Sequence, residues 1–307
     1  VTFVITSCTN RKRRPVSPQL RMMSLASARL DEVARDWGRR LENESERFLA
    51  SEIYGGRSFQ EARTAATAIN AQLLVVSAGL GLVDAGQRVP PYACTVLVDA
   101  EDSVRARVVD GFEIPKWWKA LRATSPFARP LEDRLSGQSG LILAALSDAY
   151  LDMLADELVA LPQKLLGRLR IFTRAPEARI LQALRPFVMP YDDRLDGPDS
   201  HMRGTRSDFA ARALRHYVDL GLGRSEATST DKDADVIRAA ISTWQFPAKF
   251  ERKRLDDAAI ILLLEEHWDH AGGSGTKLLR YFRDELDIAC EQSRFAGLVR
   301  LVREKRS

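Results

Sequence analysis

Ser7-Cys8-Thr9-Asn10 runs directly into Arg11-Lys12-Arg13-Arg14 and Pro15. Hydroxyls, a thiol and an amide beside four consecutive cations form a set suited to phosphate oxygens and a planar polar edge. Cations neutralise phosphate, and a carboxamide presents a donor and an acceptor side by side. Residues 1–30 carry six basic and no acidic side chains, a local excess larger than the +4 of the whole chain. A solvated basic loop is the plain alternative. The placement favours a site, because the cluster follows an apolar β-branched run, Val1 to Thr6, that reads as a buried strand.

Four further stretches carry candidate chemistry. In Ser77-Ala78-Gly79-Leu80-Gly81, glycines allow a backbone to approach a flat ligand, and Tyr92 after Pro90-Pro91 offers a stacking face. The competing reading there is a tight strand-helix turn. Tyr54 precedes Gly55-Gly56, where it can line a pocket, and Ser58 with Glu61 reads as a helix-capping box. Ser147-Asp148 follows another apolar run, so Asp148 either caps a helix or points into a pocket as a general base or charge stabiliser. Asp193 lies in an acidic segment after the last strand and is the rival carboxylate. Arg203 and Arg206 sit before a helix over 207–220 whose N-terminus attracts anions.

These candidates need a scaffold. Apolar runs at 1–6, 73–76, 141–146, 169–173 and 187–189 alternate with helical patterns at 24–50, 58–69, 149–161 and 177–184. That alternation predicts an α/β fold, a doubly wound, mostly parallel sheet of four to five strands with sites at the strand carboxyl ends. Residues 99–139, with Trp117-Trp118 and several prolines, interrupt it and read as an insertion or lid. After Gly221-Leu222-Gly223 the polar stretch 225–233 reads as a linker. The expected division is an α/β domain over 1–222 and an all-α extension over 231–307. Its last two helices form a candidate helix-turn-helix. Residues 274–307 hold eight basic and five acidic side chains, and Arg294 is a candidate phosphate contact.

Composition narrows the classes. With 45% hydrophobic and 29% charged residues in 307, the chain is globular rather than disordered or collagen-like. Three scattered cysteines argue against a disulfide framework and for a reducing compartment. No zinc-ligand spacing, secretory signal pattern or membrane-length apolar run occurs, so the expectation is a soluble cytoplasmic protein without a metal. Neither a Walker nor a dinucleotide fingerprint is present.

The order Ser7-Cys8-Thr9-Asn10-Arg11-Lys12, Ile53-Tyr54-Gly55-Gly56-Arg57-Ser58-Phe59, Ser77-Ala78-Gly79-Leu80-Gly81-Leu82-Val83 and Pro91-Tyr92 resembles a small bacterial family. Its pattern is a Ser-Cys-Ser-x-x-Lys strand end, a Leu-Tyr-x-Gly-x-x-Phe turn, then Leu-Ser-Ala-Lys-Tyr-Gly-Leu and Pro-Tyr-Asp. That family is distantly similar to the uracil-DNA glycosylase superfamily and to peroxide-stress DNA-protecting proteins. It is also similar to domains linked with tRNA-guanine transglycosylases, and some relatives of this type act as anti-phage DNA glycosylases. The resemblance covers residues 1–98 and, more loosely, 141–220. Gly79-Leu80 stands where the pattern has Lys-Tyr, and Ala93 where it has Asp.

The resemblance implies a uracil-DNA-glycosylase-like fold and a DNA glycosylase that flips and excises a modified base from duplex DNA, with no cofactor. In that reading Asn10 and either Asp148 or Asp193 are catalytic. Ser7, Cys8, Thr9, Tyr54, Ser77, Gly79 and Tyr92 form the base pocket, while Arg11, Lys12, Arg13, Arg203, Arg206 and Arg294 grip phosphates. The alternatives are a base-exchange or nucleotide-processing enzyme acting on RNA or nucleotides, and a non-catalytic DNA-binding protein.

Overall fold

The computed structural model describes residues 1–98, 100–224, 229–248 and 252–306. Part of the expected linker, 225–228, and the first residue of the expected insertion lie outside them. The chain divides into two compact units, Val1–Pro247 and Ala248–Ser307.

The first unit is built on five strands: β1 (Phe3–Ser7), β2 (Gln72–Ser77), β3 (Gly81–Asp84), β4 (Ile142–Ala145) and β5 (Leu169–Phe172). Their spatial order is β3-β2-β1-β4-β5, and only β3 runs antiparallel to its neighbour. All residues of β1, β4 and β5 are buried, as a parallel sheet covered on both faces requires. On one side, α2 (Arg57–Ala68) and α5 (Phe209–Asp219) pack on each other and on β1, β4 and β5. A second group joins α1 (Leu30–Asn43), α3 (Ile114–Thr124) and α4 (Asp148–Val159). In α1, Val33, Ala34, Trp37 and Leu41 form the buried stripe, and Asp31 and Glu32 occupy the first turn, where acids suit the helix dipole.

Several sequence expectations change. The fifth strand is not 187–189, which contributes a single bridge from Val188 to Ile171. It is β3, formed where a glycine loop was expected: Gly81, at φ +87°, lets the chain reverse so that Ser77 pairs with Gly81. Residues 177–184 make 3₁₀ turns, with Pro186 inside the second. The expected insertion or lid holds α3, whose Trp117, Trp118 and Leu121 are buried between α1 and α4, so this stretch is part of a core layer.

The unit boundary also falls later than 222–231. Helix α6 (Thr230–Ala240) belongs to the first unit, tied there by Asp233, which accepts from Arg170 Nε at 2.6 Å and from Tyr217 Oη at 2.8 Å. The second unit has α7 (Asp257–Glu266), α8 (Gly275–Asp284) and α9 (Gln292–Arg306) around Ile260, Leu264, Leu278, Phe282, Phe295 and Val302. It is not purely helical: Lys253–Arg254 pairs in parallel with Ile288–Ala289. That short strand occupies the connector between α8 and α9, which therefore exceeds the turn of about 3–4 residues of a helix-turn-helix.

Candidate functional site

The chain leaves β1 toward β2 on one side and leaves β4 toward β5 on the other. The loops after these adjacent parallel strands therefore diverge, opening a crevice at their carboxyl ends, the place where ligands bind in open α/β sheets. A cavity of about 690 Å³ lies there. Its walls are Ser7 to Arg11 after β1, Ser147 to Tyr150 after β4, Gly56 to Ser58 opening α2, and Arg206 to Asp208 leading into α5, with Arg179 and Leu97 at the sides.

Each wall is held by identifiable contacts. Thr9 Oγ1 accepts the Gly56 N–H at 3.2 Å and donates to the Arg11 carbonyl at 3.2 Å, clamping the β1 loop to the start of α2. Gly56 is required by that approach, since a Cβ there would lie 2.7 Å from Thr9 Cγ2. Asp208 accepts from the Thr205 N–H and from the buried Arg212 guanidinium, which fixes the third wall. Cys8 Sγ lies 3.1 Å from Tyr150 Oη. Burial pushes the Tyr150 phenol well above its ordinary pKa, so it remains a neutral hydroxyl through the neutral range.

Electrostatically the cavity favours anions. Four arginines, Arg11, Arg57, Arg179 and Arg206, line it against two acids, Asp148 and Asp208, while Glu61 and Asp152 outside the lining pair with Arg57 and Arg179. The starts of α2, α4 and the turn before α5 converge on it, adding the positive ends of three helical segments. The Asp148 carboxylate stands between Arg206 at 3.5 Å and Arg179 at 3.6 Å. It does not cap α4; Ser147 holds the capping position without a side-chain hydrogen bond.

Of the residues expected in the site, Ser7, Cys8, Thr9, Asn10, Arg11, Asp148 and Arg206 line this one cavity. Others lie elsewhere. Asp193 is on a separate turn, paired with Arg174 at 2.6 Å. Arg203 bonds the carbonyls of Ser200 and Pro198, and Arg13 is exposed outside the lining. Arg294 belongs to the second unit, where it pairs with Asp257 at 2.6 Å beside a hollow lined by Arg252, Arg254 and Arg283.

Tyr54, Ser77, Gly79 and Tyr92 do not form an open pocket; the two rings and Ser77 have no exposed surface. They make a buried polar network instead. Tyr92 Oη meets Ser77 Oγ at 2.5 Å and Tyr54 Oη at 3.1 Å, and Ser77 Oγ accepts the N–H groups of Gly79 and Leu80. The loop carbonyls are equally occupied: Trp37 Nε1 donates to Gly79 and Trp117 Nε1 to Ala78. A base therefore has no access to this loop or to either tyrosine face.

Lys12 turns inward rather than toward a phosphate. Its ammonium donates to the Thr9 carbonyl at 2.5 Å and lies 5.1 and 4.6 Å from the ring centroids of Tyr54 and Tyr92. Burial lowers its pKa. It lines, with Asn10, Cys94, Thr95 and Asp102, a smaller recess of about 200 Å³. Asn10 is common to both cavities.

Sequence reasoning missed Arg57, Ser58, Tyr150, Arg179, Ser207 and Asp208 as cavity residues. Ser58 was expected to cap α2, but Gly56 is the capping residue and Ser58 is the second residue of the helix. Glu61 pairs with Arg57 instead of closing a capping box. A strand-end Ser-Asp-x-Tyr pattern signalled Tyr150, whereas nothing local marked Arg179.

No helix among the described residues is long and apolar enough to cross a membrane. Among the same residues no group of three or more His, Cys, Asp or Glu side chains is placed to hold a metal ion. Set against protein-family models, curated proteins and solved structures, the chain matches none.

Proposed function

We propose that the protein hydrolyses an N-glycosidic bond, excising a nucleobase from a nucleotide extruded from DNA. One observation carries this reading: a single cavity at the carboxyl ends of β1 and β4 brings a carboxylate, Asp148, together with an amide, Asn10, and more arginines than acids. At about 690 Å³ it falls within the range of about 300–1,000 Å³ typical of small-molecule sites. A flipped nucleotide is presented to such a site at an unstacking cost of a few kcal/mol.

In the reaction the bond between C1′ and the base nitrogen breaks with its electron pair leaving on the base, which takes up a proton from solvent. Water adds to C1′ and loses its proton to Asp148. Positive charge on the sugar in the transition state is favoured by the same carboxylate. Asn10 meets the polar edge of the base, and Arg11, Arg57 and Arg206 hold the flanking phosphates. Tyr150, a neutral phenol at the cavity wall whose pKa burial raises further, donates or accepts a hydrogen bond there. The uracil-DNA-glycosylase-like architecture, the DNA partner and a cytoplasmic location belong to the same proposal. A mostly parallel sheet opening its pocket at the strand ends supports the first of these.

The test mixes the full chain with unmodified, uracil-containing and phage-modified duplex DNA, then follows free base by chromatography and abasic sites by alkaline cleavage. Base release that Asp148→Asn reduces about 100-fold or more, with DNA binding retained, is expected. No base released from any DNA by folded protein refutes excision. The convergence of the arginines on one cavity, rather than along a track, favours free nucleotides as the second reading. Nucleoside monophosphates and RNA are therefore included as separate substrates.

A further inference from the structure

The opening of α2 has more anion-binding capacity than the fold uses. Gly56 caps this 12-residue helix with no side-chain hydrogen bond. Its own N–H is taken by Thr9 Oγ1, so the first-turn N–H groups of Arg57 and Ser58 are the ones left open toward the cavity. A second, independent feature points to the same place. Ser7 is only 6% exposed, yet it lines the cavity and its hydroxyl has no hydrogen-bond partner among the described residues. The Ser7 oxygen is not among the fully buried unpartnered atoms, so this otherwise buried side chain presents its hydroxyl to the cavity, where solvent or a ligand completes it. Arg57 and Arg206 stand on the walls beside it, and Arg11 makes no ion pair among the described residues.

We infer that this corner is a phosphate cradle, formed by the Arg57 and Ser58 N–H groups, the hydroxyls of Ser7 and Ser58, and the guanidinium groups of Arg57 and Arg206. It rests on the reading of the cavity as a nucleotide site and gives the nucleotide a direction. The phosphate sits at the start of α2. The sugar then lies toward Asp148 at the start of α4, and the base toward Asn10. A helix N-terminus supplies fixed donors and a favourable dipole for a phosphate, and the two arginines add charge-assisted hydrogen bonds. Substrate discrimination in this arrangement begins with the phosphate: an unphosphorylated nucleoside forgoes the hydrogen bonds to Ser7 and the α2 N–H groups and the added anion beside Arg57 and Arg206.

The experiment is titration calorimetry on the full chain with inorganic phosphate, the four common deoxynucleoside 5′-monophosphates and the matching deoxynucleosides. At least one monophosphate is expected to bind about tenfold or more tightly than its nucleoside, the yield of one charge-assisted hydrogen bond. Inorganic phosphate should compete with it. Ser58→Asp places an acid in the first turn of α2, where it suits the helix dipole, so its unfolding midpoint should not fall. The same carboxylate repels phosphate, and the monophosphate advantage should vanish. Arg206→Gln, at a side chain 67% exposed, should weaken monophosphates without lowering stability.

Equal affinity for monophosphate and nucleoside, no detectable binding of phosphate or any monophosphate, or full monophosphate affinity in Ser58→Asp overturns the cradle. The two proposals fail separately. Phosphate-dependent binding without base release from any substrate sinks the hydrolase and leaves the cradle standing. Base release unaffected by Ser58→Asp does the reverse.

Discussion

Replacing Asp233 by Ala should destabilise the first unit severely, although Asp233 lies beyond the glycine-rich segment where a domain end was expected. Its side chain and that of Arg170 are both 0% exposed, and the Nε–Oδ2 distance is 2.6 Å. Tyr217 Oη donates to the same oxygen at 2.8 Å. Removing the carboxylate takes the 2.6 Å Asp233 contact away from a buried guanidinium that also donates to the carbonyls of Gly167 and Leu169. Breaking a buried pair from one side costs about 3–5 kcal/mol. Asp233 Oδ1 has no partner among the described residues, so deleting it relieves part of that loss and the lower end is expected. For a unit of this size, about 3 kcal/mol corresponds to a fall of about 6–12 °C in unfolding temperature. Thermal and urea unfolding of Asp233→Ala and of the double variant Arg170→Met/Asp233→Leu measures it. The double variant should recover most of the loss, because an apolar pair replaces a buried ion pair at little cost. A loss below about 1 kcal/mol in the single variant, or equal damage in both, would refute the charge argument. By the same reasoning a chain ending at Gly223 should be far less stable than one ending at Pro247.

Lys12, its pKa lowered chiefly by burial, binds fewer protons folded than unfolded between that lowered value and the ordinary 10.5, so native stability rises with pH across this window. Urea titrations from neutral pH upward should show the gap between the protein and Lys12→Met shifting in favour of the former as pH rises; a pH-independent gap contradicts a buried, desolvated amine. Gly56→Ala should push Thr9 from the start of α2 and cost about 1–3 kcal/mol, read by chemical denaturation, with weakened monophosphate binding by calorimetry. Tyr92→Phe removes two buried hydrogen bonds and should cost about 1–3 kcal/mol while leaving nucleotide affinity unchanged. A large fall in affinity with intact stability would instead place the ring against a ligand.

The sheet strands β1, β2, β4 and β5 were legible in advance because a strand buried on both faces must be a near-continuous apolar run, and such runs are visible locally. The same logic located the site in outline. Small polar residues after apolar strands put Ser7 to Arg11 and Ser147-Asp148 at carboxyl ends, and parallel neighbours bring those ends together. What local sequence cannot encode is which surface a side chain ends up facing. Tyr54 and Tyr92 carried the composition of a stacking platform, but α1 and α3 close over their loop and turn them into a core network with Ser77. Lys12 sits in a run of four cations, yet the Thr9 carbonyl and two aromatic faces draw it inward while Arg11 stays in the cavity. Asp148 and Asp193 were indistinguishable as strand-end acids; only the direction in which the chain leaves β4 puts Asp148 in the cavity and Asp193 beside Arg174. Arg179 and Asp233 had no local signature at all. Their roles come from partners 31 and 63 residues away, Asp148 and Arg170, brought within reach by a shared core.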